Sequence, residues 1–174
     1  CEATRPVEER RPASIEERRP GVWRVDFARA FTGFTRVALE GAPGATVHLS
    51  WSEREDEECT YGQASELVLD GAGRGVFEHR FNYAAARWLT IEGAARAPRL
   101  DEVTGLLVRT GYARTARFRC SDPTLQAVHD AVAWTYECLS LGGYTVDCAH
   151  RERWGYGGDA PATMETALDH FDVG

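Results

Sequence analysis

Apolar and polar residues alternate with a period of two along most of the first 120 positions. The runs are 22–27, 34–39, 46–51, 66–69, 75–81, 87–91, 103–108 and 116–120. In the first, Trp23, Val25 and Phe27 fall on one side of an extended chain and Arg24 and Asp26 on the other. Such alternation predicts half-buried antiparallel strands. Turn-forming stretches separate the runs, among them Gly41-Ala42-Pro43-Gly44 and Asp70-Gly71-Ala72-Gly73. Short strands at this regular spacing predict an antiparallel β-sandwich over residues 21–120. Trp23, Trp51 and Trp88 lie within the runs and are expected in its core.

Upstream, residues 1–20 carry Glu-Glu-Arg-Arg-Pro twice, ending at Pro12 and Pro20. Prolines and dense charge there predict an extended segment rather than a helix, one able to lie along a sheet edge. Downstream, the period changes at Ser121. Ser121-Asp122-Pro123 combines a capping side chain with a proline in the first turn. Leu125, Val128, Val132, Tyr136 and Leu139 then recur at spacings of three and four, which predicts an amphipathic helix over 122–140. Gly142-Gly143 closes it, a loop runs from Tyr144 to Gly158, and a second helix begins near Asp159-Ala160-Pro161. Its inner face carries Met164, Leu168 and Phe171. Two helices cannot bury their own apolar stripes, so either a partner chain covers them or, as is expected, residues 121–174 are the N-terminal part of a larger helical domain.

Composition narrows the classes only a little. A formal charge of −7 argues against nucleic acid as a partner. No apolar run approaches the roughly 20 residues that cross a bilayer, so no membrane span is expected. All 20 basic residues are Arg, interleaved with Glu, and form no single-sign patch. The five cysteines have wide, irregular spacing, which fits free thiols or small buried residues rather than a disulfide framework or metal site. Unpaired cysteines and the absence of an apolar leader tilt toward the cytoplasm. A leader preceding Cys1 would instead allow export.

The chemistry concentrates between the two helices. Residues 147–159 hold Asp147, Glu152 and Asp159, the guanidiniums of Arg151 and Arg153, His150, and the aromatics Trp154 and Tyr156. Carboxylates accept hydrogen bonds from sugar hydroxyls, and aromatic faces cover a sugar's C–H surface. Glycoside cleavage also needs a protonated carboxyl as general acid, with a pKa raised above its usual value near 4. Apolar cover or neighbouring carboxylates would raise it, and a facing arginine would lower it. Asp159, just before Ala160-Pro161, also suits a helix N-cap. The acidic run 53–58 reads as a solvated loop, without the glycine-punctuated spacing of a calcium loop.

Asp-Cys-x-x-Arg-Glu-Arg-x-Gly-Tyr-Gly-Gly-Asp-Ala, at residues 147–160, resembles the signature of the bacterial α-L-rhamnosidases, family 78 of the glycoside hydrolases. His79-Arg80-Phe81-Asn82-Tyr83, followed by Arg87-Trp88 in residues 87–93, resembles the family's sandwich strand pair. Phe118-Arg119-Cys120-Ser121-Asp122-Pro123 resembles its lead-in to the first barrel helix. The resemblance runs in order through most of residues 5–174. It implies a β-sandwich followed by an (α/α)6 barrel, and inverting release of terminal α-L-rhamnose from glycosides or polysaccharides without a cofactor.

Carried onto this chain, the resemblance puts Glu152 at the general acid and Asp147 and Asp159 at carboxylates that hold sugar hydroxyls. Arg151 falls on an arginine that fixes the constellation, and Tyr156 on an aromatic lining the sugar. Trp154 stands where leucine is common and adds bulk beside the site. Ala149 replaces a usual proline. No residue matches the family's base, a glutamate far downstream, so the 174 residues alone are expected not to turn over. A different class stays open: a non-catalytic carbohydrate-binding or structural sandwich with a relic helical tail.

Overall fold

The structure, a computed structural model, describes residues 2–173. It contains β1 (Thr4–Arg10), β2 (Ser14–Arg19), β3 (Val22–Glu40), β4 (Thr46–Ser52), β5 (Ala64–Val68), β6 (Arg74–Glu78), β7 (Ala84–Glu92) and β8 (Val103–Thr110). After these come α1 (Pro123–Leu139), the two-residue strands β9 (Ser140–Leu141) and β10 (Tyr144–Thr145), and α2 (Asp159–His170). The expected class, mainly antiparallel β with helices at the C-terminal end, is what forms. The chain divides into two compact units, residues 8–107 and residues 1–7 with 108–174.

In the first unit the expected layers are one continuous sheet that curls through a single long strand. The runs 22–27 and 34–39 are the two halves of β3. Along one edge, β3 pairs first with β2 and then with β8; along the other it pairs first with β7 and then with β6. β7 passes the sheet on to β4, and β4 to β5. The change from β2 to β8 spans a register shift between Asp26 and Phe31, where Ala28 has φ 63°, while β7 stays paired on both sides of it. A bulge bends a strand and increases its twist, which lets one strand serve two layers.

Asp26 pins that bulge. Its Oδ1 accepts the Ala28 N–H at 2.6 Å, and Arg87 donates to both carboxylate oxygens at 2.7 Å each. The bidentate bond from Arg87 holds the Asp26 carboxyl below its usual range, against the opposing effect of burial. The Arg87 guanidinium also lies 4.4 Å from the centroid of the Trp88 ring.

The curl brings Trp51 on β4 against Phe77 on β6, with ring centroids 5.5 Å apart. Buried in the same unit are Val25, Val37, Leu49, Leu89, Ile91, Val103 and Leu107. Trp23, Trp51 and Trp88 are buried, as expected.

Two local expectations are corrected and a third, the extended entry segment along a sheet edge, is met. Residues 116–120 form no strand, because 111–120 lie outside the sheet apart from an isolated bridge between Arg114 and Phe171. Residues 79–81 of the 75–81 run leave the ladder, and Phe81 is fully exposed. The charged segment before Gly21 forms two regular strands, since edge pairing needs backbone groups rather than an apolar face. Cys59, Cys120, Cys138 and Cys148 are free thiols, and Cys1 lies outside the described residues.

In the second unit, Asp122 is the N-cap of α1 and accepts the N–H groups of Thr124 and Leu125. A buried ion pair ties the helix to the segment before it: Arg109 Nε donates to Glu137 at 3.0 Å, and Arg109 Nη1 donates to the carbonyls of Thr110 and Tyr112. Tyr136, Ala167 and Phe171 form a small core between α1 and α2. Leu125, Val128, Val132, Met164 and Leu168 remain exposed. Among the described residues no helix is long and apolar enough to cross a membrane.

Candidate active-site loop

The loop between the helices is set up by a tight hairpin. Gly142 and Gly143 both have positive φ, 66° and 84°, which a two-residue turn between β9 and β10 requires. Val146 then enters the interior, donating its N–H to the Leu139 carbonyl at 2.9 Å, and Ala149 is buried beyond it. Between these anchors the chain folds back on itself. The Asp147 N–H donates to the Trp154 carbonyl, and the Trp154 N–H donates to Asp147 Oδ1, both at 2.9 Å. Tyr144 packs against Gly155: a Cβ there would sit 2.5 Å from the ring, so a larger residue would force the ring to move.

Inside the loop the side chains converge on one sulfur. The Cys148 thiol donates to Glu152 Oε2 at 2.7 Å and lies 3.4 Å from Asp147 Oδ2. Cys148 Sγ also accepts the Glu152 N–H at 3.3 Å. Arg151 Nε donates to the same Oε2 at 2.6 Å. The Cys148 carbonyl accepts the Arg153 N–H at 3.2 Å, and Arg153 has φ 61°, an uncommon conformation for a residue with a Cβ. The ligand-type atoms of Asp147, Cys148 and Glu152 thus lie within 4.8 Å of one another. Hydrogen bonds already account for that approach, so no ion is needed to explain it.

These contacts decide the charge states. Hydrogen bonds from the Cys148 thiol, then from Arg151, hold the Glu152 carboxyl below its usual range and outweigh partial burial. For Asp147, burial is the largest single influence and pushes upward. The N–H of Trp154, with the Cys148 N–H and thiol, outweighs it, so Asp147 is also lowered. The sequence left open whether an arginine would face Glu152. It does, and with about a third of the Glu152 side chain exposed, both carboxyls are ionised at neutral pH.

The structure therefore brings together Asp147, Arg151 and Glu152. Asp159 is placed apart from that cluster, in the first turn of α2, where its carbonyl accepts the Thr163 hydroxyl at 2.9 Å. Gly158, not Asp159, occupies the N-cap, and the Asp159 side chain makes no cap bond. Its charge still suits the positive end of the helix. Trp154 and Tyr156 are 65% and 54% exposed, so neither ring is core in this chain. The sequence reading passed over Cys148 and Tyr144. The spacing of Cys148 from Glu152 carries no signal in a loop, where residues four apart need not face one another. Spacing pointed to Tyr144 no better.

Comparison with known proteins adds the lineage. Residues 16–109 match the family described as bacterial alpha-L-rhamnosidase concanavalin-like domain. Residues 113–174 match bacterial alpha-L-rhamnosidase 6 hairpin glycosidase domain. An alpha-L-rhamnosidase of Formosa agariphila is 27% identical over 98% of this chain and 19% of its own length. One from Streptomyces avermitilis is 28% identical over 88% of this chain and 16% of its own. The chain thus spans about a fifth of these relatives or less.

Among solved structures, the Streptomyces avermitilis alpha-L-rhamnosidase complexed with L-rhamnose superposes with a TM-score of 0.89 at 25% identity. That match covers 98% of this chain and 17% of the other. The alpha-L-rhamnosidase of Dictyoglumus thermophilum gives a TM-score of 0.92 at 23% identity, covering 99% and 20%, and so speaks to the fold.

Proposed function

The chain belongs to the bacterial α-L-rhamnosidase family, and on that premise we propose that the loop 147–159 supplies the acid-bearing wall of an inverting glycosidase site. The substrate is a glycoside or polysaccharide ending in α-L-rhamnose. In this reading the β-rich residues 21–120 are the enzyme's sandwich, and 121–174 begin its (α/α)6 catalytic barrel. The observation that carries it is the convergence of Asp147, Arg151 and Glu152 within one closed loop.

Glu152 is the general acid, donating a proton to the glycosidic oxygen as the C–O bond breaks. As the loop stands, its carboxyl is ionised. Substrate and further protein over its exposed side would add desolvation, the one influence on Glu152 that already pushes its pKa upward. Asp147, Arg151 and Asp159 hold the sugar hydroxyls, and Tyr156 and Trp154 face its C–H surface. Asp147 is not the base. One of its oxygens lies within 4.8 Å of an oxygen of Glu152, too close for the water that an inverting pair about 6.5–9.5 Å apart must admit. The base comes from elsewhere, so the 174 residues alone do not turn over.

The test is Glu152→Gln in the full-length protein, assayed on an aryl α-L-rhamnoside. Turnover falls by about 10²–10⁴-fold with folding intact by circular dichroism; near-normal turnover removes Glu152 from the role. Proton NMR of the first-formed sugar reads the stereochemistry: β-L-rhamnose supports inversion, and the α-anomer refutes it.

A further inference from the structure

We propose that Cys148 is the positioning residue for Glu152: its thiol donates to Oε2 while its sulfur accepts the Glu152 N–H, so one side chain holds both the backbone and the carboxyl of the acid. The proposal rests on the reading of Glu152 as acid. The two contacts, 2.7 Å and 3.3 Å, need opposite polarities at one atom, which a thiol supplies and a methyl group does not. The Cys148 backbone is itself fixed. Its carbonyl takes the Arg153 N–H, its neighbour Ala149 is buried, and Asp147 on the other side is locked to Trp154.

The direction of these bonds matters for catalysis. Cys148 and Arg151 both donate to Oε2, which leaves Oε1 to face the leaving oxygen. The thiol carries one proton, so it serves Glu152 or Asp147 but not both. The shorter contact assigns it to Glu152, with Asp147 Oδ2 at 3.4 Å as the alternative acceptor. Rotation of one S–H bond would move the proton's partner from the acid to the neighbouring carboxylate.

The experiment compares Cys148→Ala and Cys148→Ser in the full-length protein, with Glu152→Gln alongside. Cys148→Ala lowers kcat by about tenfold and changes KM by less than about twofold, because the acid is misplaced rather than the sugar lost. It also moves the basic limb of the pH–kcat/KM profile upward, since a donor that favours the ionised carboxyl is gone. Cys148→Ser keeps both hydrogen-bonding roles and recovers part of kcat and the limb position. A kcat within about twofold of wild type with an unmoved limb overturns the proposal.

If Glu152→Gln stays active, the acid reading fails. The Cys148 contact is then judged separately, by the ¹³C NMR titration of the Glu152 carboxyl. An upward-shifted midpoint in Cys148→Ala supports the bond, and an unshifted one refutes it. Should Cys148→Ala not fold, Cys148→Val serves as the donor-free variant, and the serine variant must then lie closer to wild type than valine does.

Discussion

The two compact units satisfy the same apolar patterning to different degrees. In residues 8–107, the residues picked out by alternation are sealed: Leu49, Leu89 and Ile91 are at most 1% exposed. In the helical unit, residues picked out by an equally regular pattern stand in solvent, with Leu125 at 58% and Leu168 at 64% exposed. The difference is one of geometry. A sheet that curls through a bent strand can close its apolar face on itself within about a hundred residues. A helix cannot curl, so its stripe needs other helices. What the helical unit does close includes Arg109–Glu137 and the Tyr136–Phe171 contact, which hold the helices at the loop's two ends.

The sharpest way to break this contrast is by cavity. Leu89→Ala removes a fully buried side chain from β7 and is expected to cost about 2–5 kcal/mol. Leu125→Ala, on the exposed stripe, is expected to cost less than about 0.5 kcal/mol in this chain. Urea denaturation followed by circular dichroism measures both. Equal costs would mean that the stripe is already covered.

A smaller effect is expected at the junction of hairpin and loop. Gly155→Ala drives a Cβ into the Tyr144 ring and should cost about 1–3 kcal/mol. The change should be confined to the loop, visible as faster amide exchange at Asp147 and Trp154 with the β-rich unit unaffected. Exchange that stays slow would show that Tyr144 yields without cost.

The smallest effect is one of pH. Glu102 is held at about 2, well below its usual 4.5, chiefly by the Arg96 hydrogen bond. The folded-state value is depressed, so this stabilisation is present in full above about 4.5 and is lost as pH falls toward about 2. In Glu102→Gln, the stability of the β-rich unit should fall less steeply across that window than in the wild type. Identical slopes would show the pair to be inert.

Much of the fold was legible because periodicity is local. The halves of β3, the strands from β4 to β8, and both helices followed from where the period was two and where it was three to four. The run 116–120 shows the limit: alternation states that a strand would be half-buried, not that a neighbour exists to pair with it. The join of two runs into β3 was illegible for a similar reason, since a bulge at Ala28 depends on Arg87 arriving at Asp26 from 61 residues away.

At the candidate site the division is the same. The sequence by itself determined the chemistry available in residues 147–159, because residue types and spacing are all that a loop's inventory requires. It also determined the lineage that its motif resembled. Only the tertiary structure decided that Arg151 turns toward Glu152, that Asp159 begins a helix without capping it, and that a cysteine links the acid to the loop. Those outcomes depend on side-chain direction and on competition among donors a few ångströms apart, which no one-dimensional pattern encodes.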